Sequence, residues 1–424
     1  MADTAFDTPA YRYDLAEVRA NHATLRAALP TPSRLYYSLK ANPHPAIVAT
    51  LHAAGCGAEI SSLGELAAAL AAGVRGDQIL YTGPGKRDAE VTEAVAAGVR
   101  WFSVDSPGGL DQAERAARGL GAQVRCLLRV NDRVPNPGQG LTMTGVASQF
   151  GADVAWIEQE PEAFRPRPSA TVAGFHLYTG SNVESVDALV TQFAAAAATA
   201  RRLRDLLGIE LTMLNLGGGF GAPFARTGGN ADLTGLADRV REPLDRLFPG
   251  WRDRDPLVAF ESGRFLTATA GTLLTRVLDV KYSHGTPVVV LESGINHLGG
   301  MSGLRRLPPL VPALHATAEG ADDAADDAAD GRALTGAIVA GPLCTPLDTW
   351  ARAANLPDVR PGDVLSVPNV GAYGLSASLL AFLGHPAPVE VVCDGDRVVE
   401  TSRLTLTRAP AEARENSTEP RDER

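Results

Sequence analysis

Lys40 closes the apolar and aromatic run Tyr36-Tyr37-Ser38-Leu39 just before an Asn-Pro break, an unusual place for an amine. Five more runs of similar texture carry a reactive or charged group near their C-terminal ends. These are Glu59 in GAEISS, Arg129 in VRCLLRVN, His176 in TVAGFHLY, the glycines Gly217, Gly218 and Gly219 after LTMLNL, and Glu261 with Arg264 in LVAFESGR. An amine can condense with a carbonyl, and consecutive glycines let backbone N–H groups approach an anion closely. Alone, Lys40 reads as a surface lysine with an apolar stem, and the glycine turn as a tight turn needing positive φ. Their recurrence at the ends of six apolar runs points to one concave site.

The elements that must bring these groups together follow from the hydrophobic pattern. Eight candidate strands begin at Leu35, Gly57, Ile79, Trp101, Val124, Thr171, Leu211 and Leu257, and the first four starts are about 22 residues apart. Between them lie Ala-rich segments of helical period ending in glycine, such as HPAIVATLHAAG and SLGELAAALAAGV. This alternation predicts an α/β fold, a (β/α)8 TIM-type barrel over residues 30–275, with an open doubly wound sheet as the alternative. In such barrels the strand C-termini carry the active site, and phosphate sites favour the loops after strands 7 and 8, where the glycine turn and ESGR fall. A lysine facing a phosphate site suggests pyridoxal 5'-phosphate, with Glu261 keeping its ring nitrogen protonated and His176 packing on its face.

From about Thr275 the texture becomes short Val-rich runs separated by Gly, Pro and Asp, which predicts an all-β domain, sandwich or barrel-like, spanning 276–409. Residues 1–29 are grouped with it, on the expectation that Tyr11 to Tyr13 pair with its sheet. The acidic low-complexity run 318–333 and the tail 410–424 have nothing to bury and are expected to be mobile.

Composition limits the partners. The 424 residues are 45% hydrophobic and 21% charged, and 39 Lys plus Arg against 49 Asp plus Glu leave a formal charge of -10. No basic stripe carries interleaved aromatics, so nucleic acid is not an expected partner. No run reaches about 18 uninterrupted apolar residues and the first residues lack a secretory pattern, so neither membrane nor export is expected and the cytoplasm is. The four cysteines form no Cys-x-x-Cys pair, which argues against a disulfide framework or a metal site.

Six segments in order resemble the fold-type III pyridoxal-phosphate-dependent decarboxylases, the ornithine and diaminopimelate decarboxylase family: YYSLKANP, GFHLYTGSN, LNLGGGFG, FESGR, GPLCTPLD and NVGAYG. The resemblance spans nearly the whole chain. It implies that Lys40 holds the cofactor as a Schiff base, that His176 stacks on its ring and that Glu261 pairs with the ring nitrogen. Gly217, Gly218, Gly219, Arg264 and Tyr373 would take the phosphate; Glu59 and Glu65 match acidic positions, the first near the Schiff base, and Arg129 matches an arginine beside them. Cys344 would return a proton to the substrate carbon after carbon dioxide leaves. It further implies a head-to-tail homodimer with shared active sites, Cys344 entering from the other subunit.

Two departures bear on the substrate, with Thr345 and Asp348 taken, beside Tyr373, as candidate substrate contacts. Thr345 stands where ornithine and diaminopimelate enzymes carry an acid or serine, and Gln149 replaces a lysine common in the family. An acid attracts a distal ammonium and a threonine does not, which favours a neutral, acylated or carboxylate-bearing substrate. ESGINHLGGMSGLRRLPP and SLLAFLGHPAP look closer to members serving siderophore and antibiotic pathways, on citrate-linked or carrier-protein-linked amino acids. Arg305 and Arg306 either meet a distal carboxylate or lie on the surface. The alternatives are a classical diaminopimelate or ornithine/lysine decarboxylase, an amino-acid racemase, and a non-catalytic homologue.

Overall fold

A computed structural model describes residues 7–132, 141–142, 145–299, 311–317 and 333–410. Arg305, Arg306, most of the acidic run and residues 411–424 lie outside them.

The chain opens with β1 (Ala10–Asp14) and α1 (Leu15–Ala28), and Asp14 caps the helix by accepting from the Ala16 N–H at 2.8 Å. Eight parallel strands follow: β2 (Arg34–Ser38), β3 (Gly57–Ile60), β4 (Ile79–Tyr81), β5 (Trp101–Val104), β6 (Val124–Asn131), β7 (Ala170–His176), β8 (Met213–Asn215) and β9 (Leu257–Ser262). Each pairs with its neighbours, and β9 closes on β2 with Glu261 opposite Tyr36, so the sheet is a closed barrel. Helices α2 (Pro45–Ala53), α3 (Leu63–Ala71), α4 (Asp88–Ala96), α5 (Pro107–Gly119), α6 (Val186–Leu207) and α7 (Leu236–Leu247) lie between these strands. Strands covered on both faces must be apolar throughout, and β3, β4 and β5 are buried at every position. Inside the barrel, Tyr36, Leu80, Trp101, Leu127, Ala173, Met213 and Ala259 form one buried cluster that fills it as a packed core. A fully buried ring such as that of Tyr36 contributes roughly 2 kcal/mol.

Three local features differ from the sequence reading. The first strand ends at Ser38, and Leu39–Ala41 form a 3-10 turn, so Lys40 sits just past the strand rather than on it. Helix α1 packs against α2 and α7, so the barrel's outer ring starts before residue 30. A strand not expected from sequence, Thr349–Leu356, carries the Ala- and Arg-rich segment TWARAANL, whose cross-strand pairing with Leu334–Ala340 overrides its weak strand propensity.

The longer strands after the barrel are β10 (Gly271–Ser283), β11 (Thr286–Leu291), β12 (Leu334–Ala340), β13 (Thr349–Leu356), β14 (Val364–Val367), β15 (Val389–Asp394) and β16 (Arg397–Arg403). Together with the two-residue strand His315–Ala316 and with β1, which lies antiparallel to β10 and parallel to β15, they form a nine-stranded, mostly antiparallel sheet. No helix among the described residues is long and apolar enough to cross a membrane.

Candidate active site

The strand C-termini of the barrel gather the titratable groups. Lys40 lies on the turn after β2, and its Nζ is 3.7 Å from Glu59 Oε2 on the adjacent β3. Glu59 is 1% exposed; its Oε1 accepts from the Thr82 hydroxyl, while Oε2 has no hydrogen-bond partner. A buried carboxylate oxygen left in this state is a costly arrangement, repaid when a ligand or ammonium satisfies it. Almost half of the Lys40 side chain is accessible. Burial works to lower its pKa, but Glu59 first, then Tyr373, Tyr178 and Glu261, outweigh this and raise it.

His176 ends β7, hydrogen-bonded to Ser103 on one side and close to Glu261 on the other, where Nε2 makes no hydrogen bond. Its Nδ1 is 2.8 Å from Ser103 Oγ of β5, and its Nε2 is 3.3 Å from Glu261 Oε1 of β9. Glu261 also accepts from Asn215 Nδ2 at 2.7 Å, from the intervening β8. Burial pushes the Glu261 carboxyl up, but His176, Lys40 and Asn215 together dominate and hold it below the usual carboxylate range.

The glycine turn follows β8. Gly217 and Gly219 have φ of 67° and 101°, the left-handed region that favours glycine. A Cβ on Gly218 would stand 1.9 Å from the Glu261 carbonyl oxygen, and one on Gly219 would stand 2.3 Å from that of Gly180. The turn is therefore packed directly on the strand bearing Glu261, whose N–H donates to the Gly217 carbonyl at 2.8 Å. Arg264 follows the same strand, and its guanidinium carbon lies 4.7 Å from the ring centre of Tyr373. Tyr373 adopts φ 58° and its N–H donates to the Ala41 carbonyl at 2.7 Å, which ties it to the Lys40 turn.

These groups fit pyridoxal phosphate: an amine beside a buried carboxylate, a Glu59 oxygen with no hydrogen bond, a buried anionic carboxylate beside an imidazole, and a glycine turn next to an arginine and a tyrosine.

Other expected residues lie differently. Arg129 is buried in β6 with its guanidinium carbon 4.5 Å from the Phe150 ring centre, and Gln149 beside that ring is exposed. Glu65 accepts from the Ser61 N–H at 2.6 Å while its own N–H donates to Ser62 Oγ at 3.2 Å, so Ser62 caps α3; burial and Glu59 push the Glu65 carboxyl up to about 7. Cys344 and Thr345 lie on the loop between β12 and β13, Cys344 exposed and Thr345 half-buried. Asp348 on that loop is buried. It accepts from the Ile295 N–H at 2.8 Å and the Leu343 N–H at 2.9 Å, and Cβ atoms on Gly294 or Gly341 would stand 2.3 Å from its oxygens. It ties the Cys344 loop to the segment after β11.

Several neighbours had no part in the sequence reading. Ser103, Thr82 and Asn215 hold His176, Glu59 and Glu261, and each is a polar residue within one position of the end of an apolar strand, which is the signal that marks them. The Tyr178 ring lies 5.9 Å from Lys40 Nζ, two residues past His176. Lys86 donates to the carbonyls of Gly83 and, at 2.8 Å, Ser103, and burial lowers its pKa to about 8 despite Asp105.

The family model described as "pyridoxal-dependent decarboxylase, pyridoxal binding domain" matches residues 15–268. The L-glutamyl-(BtrI acyl-carrier protein) decarboxylase of Niallia circulans is 31% identical over 91% of this chain and 89% of its own length. The 2-((L-alanin-3-ylcarbamoyl)methyl)-2-hydroxybutanedioate decarboxylase of Staphylococcus aureus is 31% identical over 89% of this chain and 92% of its own. Among solved structures, diaminopimelate decarboxylase from Helicobacter pylori complexed with L-lysine superposes with a TM-score of 0.78, covering 93% of this chain and 94% of that one at 24% identity, a likeness of fold.

Proposed function

Because this chain belongs to the pyridoxal-dependent decarboxylase family and is a carboxy-lyase of amino acids, we propose that its substrate is an amino-acid conjugate rather than a free diamino acid, as in siderophore or antibiotic biosynthesis. The observation that carries this reading is the Cys344 loop. Thr345 is neutral, with its hydroxyl accepting from the Leu347 N–H at 3.3 Å, and the loop's carboxylate, Asp348, is occupied by backbone N–H groups. The loop thus provides no carboxylate to receive a distal ammonium. Two relatives named for a glutamyl group on an acyl-carrier protein and for a carbamoylmethyl hydroxybutanedioate support the same reading.

Bound pyridoxal phosphate would supply the electron sink for the bonding pair released when the α-carboxylate leaves. Lys40 would hold it through its amine, with Glu59 balancing the ammonium charge. Glu261, kept anionic by His176 and Asn215, would hold a proton on the ring nitrogen, and Ser103 would fix the imidazole against the ring. Gly217, Gly218 and Gly219 would present backbone N–H groups to the phosphate, with Arg264 and Tyr373 closing on it. Cys344 Sγ would carry the proton for the substrate α-carbon. In this chain Cys344 is exposed, in keeping with a homodimer in which each site is completed by the Cys344 loop of the other subunit.

The test is carbon dioxide release by the holoenzyme across free lysine, ornithine and meso-diaminopimelate, acyl-carrier-linked amino acids, and hydroxybutanedioate conjugates of diamino acids. Turnover confined to the conjugates is expected. Robust turnover of free meso-diaminopimelate would instead assign a classical diaminopimelate decarboxylase.

A further inference from the structure

A cavity of about 210 Å³ opens at the end of the barrel remote from Lys40, where the strands begin. Its lining includes His22 and Arg26, one turn apart on α1, Ser33 and Arg34 at the start of β2, and Arg254 and Leu257 at the start of β9. Three arginines and a histidine thus line one small space, and among the described residues no acidic residue does.

The cations are placed rather than merely crowded. Arg26 Nη1 donates to the Ser33 carbonyl at 3.1 Å, and Nη2 donates to the Pro30 carbonyl, Thr31 Oγ1 and Ser33 Oγ at 3.3, 3.2 and 3.1 Å. All four acceptors are neutral, so the charge is fixed without being compensated. Burial lowers the pKa of Arg26, and burial together with the Arg26 charge lowers that of His22. Arg34 Nη1 donates to Tyr36 OH at 3.3 Å, leaving its other donors for a ligand. Arg254 stands on a left-handed turn, φ 64°, and its side chain has no protein partner among the described residues. Asp77, which feels the charge of Arg34, is already held by Arg75 at 3.0 and 2.8 Å.

Like charges gathered in a recess repel unless a counter-charge enters, and guanidinium forks match the oxygen spacing of carboxylates and phosphates. We propose that this cavity binds a small multivalent oxyanion, phosphate or a polycarboxylate, between Arg34 and Arg254, with Arg26 supplying a fixed positive field. The cavity's end of such a barrel governs stability rather than chemistry, so the ligand is expected to act on stability. The proposal is independent of the reaction assigned to the other end.

The experiment uses holoenzyme freed of excess cofactor, so that the cofactor-phosphate site is already filled. Thermal unfolding is followed against inorganic phosphate, citrate and chloride at matched ionic strength. A saturable rise in Tm with phosphate or citrate and not with chloride is expected, and which anion saturates at the lower concentration separates the two sources. Arg254→Asn, which tolerates the left-handed turn, and Arg34→Gln should each raise the half-saturating concentration at least tenfold and leave decarboxylation unchanged. Equal rises with chloride, no saturation in the wild type, or unaltered saturation in both variants would overturn the site. Far-UV circular dichroism of each variant establishes that it is folded, and if one fails to fold the other decides.

Discussion

His176 Nε2 lies 3.3 Å from Glu261 Oε1, and both side chains are nearly closed to solvent. Two strands that are neighbours of β8 but not of each other, β7 and β9, bring them there, with Asn215 of β8 bonded to the same carboxylate oxygen. The carboxylate is therefore held anionic by groups on both sides of it.

That arrangement makes Glu261→Gln a test of charge at nearly constant shape. Glutamine keeps an oxygen for Asn215 but cannot hold a proton on a ring nitrogen. Removing a preorganised electrostatic group of this kind is expected to lower kcat by about 10² to 10³-fold. Steady-state carbon dioxide release reads the effect, and an unchanged kcat would remove Glu261 from the chemistry.

Lys40 leads to a pH dependence. Its amine must be neutral to condense with an aldehyde, and Glu59 with its neighbours raises its pKa, so the reactive fraction is small near neutrality. Below the pKa that fraction grows about tenfold per pH unit. Reconstitution of apoenzyme with pyridoxal phosphate, followed by visible absorbance, should accelerate from pH 7 to pH 9, and Lys40→Ala should develop no lysine-linked absorbance. A rate flat in pH would argue against the ammonium as the resting state.

The inward turn of Asp348 predicts a loss of order at Cys344. In Asp348→Ala the N–H groups of Ile295 and Leu343 lose their acceptor, at a cost of about 1–3 kcal/mol for each one left unsatisfied. Chemical denaturation should show that loss, and alkylation of Cys344 by iodoacetamide should change rate while KM for cofactor stays fixed. Wild-type alkylation kinetics would show that Asp348 does not hold the loop.

Glu390 on β15 is 6% exposed, and burial, assisted by Glu400 and opposed by its hydrogen bond to Tyr13, pushes its carboxyl up to about 7 from 4.5. The folded state therefore binds a proton that the unfolded state has released between pH 4.5 and pH 7, and the stability contributed by this group falls as pH rises through that window. Glu65 acts in the same direction. Glu390→Gln removes one such group, so its Tm relative to wild type should improve between pH 5 and pH 8. A Tm difference independent of pH would mean that Glu390 titrates normally.

Much of the site was readable because the barrel turns linear spacing into position. Strand starts about 22 residues apart and one polar group per strand end are local patterns, and the closed sheet converts them into a ring of side chains. What hid from such a reading was contact between distant strands. Ser103 is an ordinary serine in WFSVDS until β5 stands near β7, and Thr82 is a loop threonine until it meets Glu59. Asp348 and Glu65 show the converse, where a residue type suggests chemistry and the local backbone claims the carboxylate.

By itself, then, the sequence determined the barrel's succession of strands and helices, the positions of Lys40, His176, Glu261 and the glycine turn along them, and the switch to a β-rich region near Thr275. Those depend on period and residue type, which are properties of neighbours along the chain. The tertiary structure alone decided which polar atoms face one another: that His176 is held between Ser103 and Glu261, that Asp348 is buried on backbone N–H groups, and that Arg26, Arg34 and Arg254 converge at the other end. Hydrogen bonds and charge interactions act over a few ångströms of space, and only the closing of the barrel sets those distances.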